Sequence, residues 1–122
     1  MPAEPQPITL AQVVRRAVDV CDPEGGSESL AALLERLEDE DEPVSAVGDV
    51  EEVVSAAVNS VGDPDIDPEL AMAGALVTYL AHRRDELGEE PVELLRLATR
   101  AEFDAKPPYV VAQWLRAQAI EW

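Results

Sequence analysis

One cysteine, one histidine and one lysine are the whole supply of those residue types in a chain of 122. Each shortage removes a class of chemistry. Cys21 has no second cysteine to pair with, so no internal disulfide forms, which suits a reducing compartment. A zincin needs two histidines four apart, and a di-iron bundle needs Glu-x-x-His on two helices. Here the single His82 is preceded at three residues by Tyr79, so neither motif exists. No apolar run reaches the ~20 residues of a membrane helix. The best stretch, "LAMAGALVTYLA" at 70–81, runs straight into "HRRDEL". The opening "MPAEPQPITL" has no basic segment followed by an apolar one, so the cytoplasm is the expected location.

Positive charge is scarce as well. Nine Lys and Arg face 26 Asp and Glu, a formal net charge of −17. Such a field repels phosphate backbones, which argues against direct nucleic-acid binding. The same field draws in a basic protein and speeds encounter, or serves solvation and tolerance of high salt.

What the chain does have is apolar spacing at helical intervals. Residues 1–7, with three prolines, read as a flexible tail, and 8–122 as a single helical domain. Thr9 and Gln12 are placed to form a capping box before the stripe Leu10, Val13, Val14, Ala17, Val18 and Cys21. "CDPEGGS" ends that helix, and Ser27 can cap a second with Leu30, Leu33, Leu34 and Leu37 inside, running into the acidic 38–42. Asp49 with Glu52 opens a third, whose valines fall at intervals of three and one, the mark of a helix despite their β preference. Gly62 closes it in the C′ role. A fourth is expected from Pro68 to about Leu87, with Leu70, Ala73, Leu76, Val77 and Leu80 on one inner face. Pro91 opens a fifth, and Pro107 and Pro108 a sixth with Val111, Trp114 and Leu115 as its stripe. The expected fold is all-α: a single small bundle of about six short amphipathic helices, with no sheet.

The stretch "GDPDIDPEL", 62–70, resembles a calcium loop at first sight. Asp63, Asp65 and Asp67 take the first, third and fifth positions of an EF-hand. The sixth is Pro68 where glycine is needed, and the twelfth is Gly74 where glutamate is needed. The same residues are accounted for as a helix start, with Asp67 as cap and Pro68 at N1. Cys21 reads as a small hydrophobe on an apolar face. No nucleophile elbow, phosphate loop or dinucleotide turn is present. No catalytic, cofactor or metal residue is therefore assigned, and no enzyme activity is expected.

The residues that stand out for partner contact are few. Ala71, Gly74 and Ala75 form a small-residue patch suited to close helix approach. Tyr79 lies off the main stripe, Trp122 stands at the end of the sequence, and Arg83 with Arg84 forms the densest basic cluster. Together these imply a small cytosolic interaction module, an adaptor or regulatory subunit, that binds another protein, in particular a basic one. No membrane is involved, and a homo-oligomer stays open. The alternatives are an acidic inhibitor or nucleic-acid mimic that blocks a basic protein and, third, a helical enzyme subunit without a recognisable motif.

Overall fold

Four of the six helices among the described residues begin where a side chain accepts a hydrogen bond from a bare first-turn amide. Thr9 Oγ1 accepts from the Gln12 amide at 3.2 Å while Gln12 Oε1 accepts from the Thr9 amide at 2.9 Å, a complete capping box. Ser27 caps through the Leu30 amide, Asp49 through Glu52 and Asp67 through Leu70. The last two helices start on proline instead, with Pro91 in the first turn of one and Pro108 just before the other.

The computed structural model describes residues 8–38, 43, 47–83 and 88–122. Its helices are α1 Leu10–Cys21, α2 Glu28–Leu37, α3 Val50–Val61, α4 Pro68–His82, α5 Pro91–Glu102 and α6 Tyr109–Ala117. No strand occurs among the described residues; Thr9 and Pro43 form one isolated antiparallel bridge. The molecule is an all-α bundle. None of the helices is long and apolar enough to cross a membrane, among the described residues. The expected tail at 1–7, the acidic run at 39–42, and 84–87 lie outside the described residues.

The organising element is α4, which touches every other helix. Its sequence explains why: from Leu70 to Ala81 it carries no charge. A helix that is apolar all round is stable only with neighbours all round. The expectation of one inner face on α4 is therefore corrected. Met72, Thr78, Tyr79 and Ala81 are buried alongside Leu70, Ala73, Leu76, Val77 and Leu80. Around it α1, α2, α3, α5 and α6 each turn one stripe inward, joining Val13, Leu30, Val54, Leu94 and Leu115 into a single core.

Three details differ from the expectation: one helix end, one glycine's conformation and one side chain's burial. Helix α4 ends at His82, not near Leu87, because the apolar surface that holds it stops at Ala81 and His82 and Arg83 are exposed. Gly62 caps α3 in extended backbone at φ −174°, so left-handed freedom is not what it supplies. A Cβ there would stand 3.1 Å from Leu70 Cδ2; the glycine makes room for α4. Trp114 is only partly buried, packed against the edge of the core.

Candidate functional site

Ala71, Gly74, Ala75 and Thr78 follow one another along α4 at intervals of three and one, and so share one face. Three of them have no side chain beyond Cβ. The fourth turns back on its own helix, Thr78 Oγ1 donating to the Gly74 carbonyl at 3.2 Å. Where α3 crosses this face, Gly74 allows contact so close that an added Cβ would meet Val58 Cγ2 at 3.1 Å and Val54 Cγ1 at 3.8 Å. Beside that crossing Ala71 and Ala75 are left half-exposed, and a groove of about 350 Å³ opens there.

One wall is α3, with Glu51, Val54, Ser55, Val58 and Asn59. Glu102 at the end of α5 lines it too, with Phe103 and Pro108 of the connector to α6. Pro64 and Asp65 line it from the α3–α4 loop. Among the described residues that line the groove none is basic.

Local geometry sets the connector wall. Asp104 and Ala105 lie in the left-handed region, at φ 51° and 61°, and reverse the chain after Phe103. Aspartate tolerates that conformation, whereas alanine is disfavoured there by about 1–2 kcal/mol. A clamp offsets the cost. Trp122 Nε1 donates to the Ala105 carbonyl at 3.1 Å, and Arg116 lies 5.7 Å above the indole centroid. Lys106 N closes the turn on the Phe103 carbonyl at 2.8 Å.

The electrostatics of the groove are one-sided. Burial holds the Glu102 carboxyl above its ordinary value, and the charge of Glu51 raises it further; His82 offsets part of this. His82 sits one turn beyond the floor, with Nδ1 2.9 Å from the Thr78 carbonyl.

The structure sorts the expected contact residues. It brings Ala71, Gly74 and Ala75 together as the groove floor. Tyr79 is 6% exposed, and its ring is part of the core that surrounds α4. Arg83 is exposed at the C-cap of α4, and Arg84 lies outside the described residues. Trp122 folds back as the clamp on the connector. The groove also contains Glu51, Ser55, Glu102, Phe103 and Pro108, which no local pattern singles out, because only the fold brings them together.

The other centres with chemical promise are committed elsewhere. Asp67 accepts from the Leu70 amide through one oxygen and from Ser29 Oγ, at 2.7 Å, through the other. Asp63 accepts from the Asp65 amide at 2.9 Å. No group of three His, Cys, Asp or Glu among the described residues is placed to hold a metal ion. Burial, with the nearby Glu69 and Asp22 carboxylates, pushes the Cys21 thiol far up, away from the reactive thiolate.

Comparison with protein-family models, with curated proteins and with solved structures gives no match in any of the three.

Proposed function

We propose that this chain is a protein–protein interaction module whose contact surface is the groove formed by α3, α4 and the α5–α6 connector. One observation carries the reading. The α4 face presents Ala71, Gly74, Ala75 and Thr78 to a groove that Val54, Val58, Phe103 and Pro108 also line, and Ala71 and Ala75 are left half-exposed there. Elsewhere the apolar surface of this helix is covered by its neighbours. An open groove with a shallow, small-residue floor lets a segment of another protein approach the helix backbone closely. The acidic exterior speeds the encounter, and the groove holds the complex.

A photoreactive side chain at Ser55, on the groove wall, tests this against one at Glu35 on the exposed side of α2. The reading predicts a cross-linked protein from position 55 and none from 35. The same protein, once purified, must bind the chain and lose binding to Ala75→Trp and Ser55→Trp, which fill the groove while circular dichroism confirms folding. Equal cross-linking from both positions, or unchanged binding by the filled grooves, contradicts it.

A further inference from the structure

We propose that the occupant of the groove is a segment of another protein carrying an arginine or lysine beside apolar residues, with the cation seated between Glu51 and Glu102. The inference rests on reading the groove as a partner's seat and adds the chemistry of what sits there.

Charge complementarity leads to it. Glu51 and Glu102 line the same groove, where no described lining residue is basic; burial raises the Glu102 carboxyl, the Glu51 charge adds to it, and His82 offsets only part. Two like charges facing a partly desolvated groove are relieved by one cation between them. Beneath them the surface is apolar, so a bare inorganic cation fills only part of the site. A side chain that combines charge with an aliphatic stem meets both demands.

An independent feature extends the surface. The two most exposed large apolar side chains among the described residues are Ile66, 75% exposed, and Tyr109, 72% exposed. They are the chain neighbours of Asp65 and Pro108, which line the groove from the α3–α4 loop and the connector. Gln113 Nε2 donates to the Tyr109 hydroxyl at 2.8 Å, which fixes the ring along α6. Exposed apolar groups beside an apolar groove mark an interaction site longer than the groove itself. A second copy of the chain is disfavoured as occupant because it brings another −17 of charge.

A display library of short random peptides, panned against the full chain, tests the proposal. Four forms are compared: wild type, Ser55→Trp, Glu51→Gln with Glu102→Gln, and Glu28→Gln with Glu35→Gln on α2. Wild type should retain peptides enriched in Arg or Lys next to apolar residues, and Ser55→Trp should not. Removing Glu51 and Glu102 should abolish the preference for a cation and weaken the best peptide about tenfold. Removing two charges from α2 should leave both unchanged. If wild type retains apolar peptides without a cation, and Ser55→Trp loses them, this inference fails while the partner-binding reading stands. Retention by Ser55→Trp equal to wild type overturns both. An equal loss from the α2 pair assigns the preference to net charge and overturns the inference, as does a self-associated dimer that Ser55→Trp dissociates.

Discussion

Gly74 and Val58 meet across the α3–α4 crossing so closely that a methyl group fits only if Val58 yields: a Cβ on the glycine would lie 3.1 Å from Val58 Cγ2. Two effects compete on substitution. Alanine gains about 1 kcal/mol of helix propensity over glycine. Against that, Val58 is 6% exposed and stiff at χ1, so it yields only a few tenths of an ångström. Gly74→Ala should change stability by less than about 1 kcal/mol, whereas Gly74→Leu should lose about 1–3 kcal/mol through overpacking. Urea unfolding measures both. A leucine variant as stable as wild type would show that α3 is not seated on α4 at this residue.

The Trp122 clamp predicts two opposite changes. Trp122→Phe keeps a ring beside Arg116 but removes the bond to the Ala105 carbonyl, for a loss of about 1 kcal/mol or less at this exposed position. Ala105→Gly should stabilise by about 0.5–1 kcal/mol, because glycine adopts the left-handed φ of 61° without strain. Thermal unfolding of the two variants gives the sign. An Ala105→Gly protein that melts earlier than wild type would contradict the connector geometry.

Glu102 gives the chain a pH dependence of definite sign. Its folded-state value is raised above 4.5, so between that value and the raised one the folded state binds more protons than the unfolded. Its contribution therefore lowers stability as pH rises through this interval, and the penalty is fully present above it. Glu102→Gln should raise the melting temperature at neutral pH, and the gain should vanish below about 4.5. Melting curves of the pair across pH check this. A gain that persists in acid would mean that packing of the amide, not relief of charge, is responsible.

The chain carries a formal net charge of −17, with 26 acidic residues against nine basic ones. Self-repulsion should therefore weaken the fold at low salt. Going from about 10 mM to 1 M sodium chloride shortens the screening length from roughly 30 to 3 Å. The melting temperature should rise over that range, and by more than for Glu51→Gln with Glu102→Gln, which carries two charges fewer. A flat profile would mean that the acids are spaced too widely to repel.

How much of this was legible without coordinates follows from what is local. The helix starts are local: Thr9 with Gln12 and Asp49 with Glu52 are readable from pairs three apart, Ser27 from the cap residue after "CDPEGG", and Asp67 from the proline that follows it. The stripes of α1 and α3 were readable because solvent takes the opposite face. On α4 no stripe stands out, since between Leu70 and Ala81 only Ala71 and Ala75 are left half-exposed by the five surrounding helices; the unbroken lack of charge over that stretch is the usable sign. Ala71, Gly74 and Ala75 were visible as small residues, but not that Phe103, Pro108 and Glu102 line the same groove. That arrangement depends on two left-handed residues and on Trp122, seventeen positions from the Ala105 carbonyl it bonds.

The seat on α4 is tested most directly by nuclear magnetic resonance of the labelled full chain, titrated with the tightest cationic peptide from the display experiment. Amide shifts should concentrate at Val54, Ser55, Ala71, Gly74, Ala75, Thr78 and Phe103, and saturate together with one dissociation constant. Shifts confined to α1 and α2, or scattered over the acidic surface without saturation, would contradict the account.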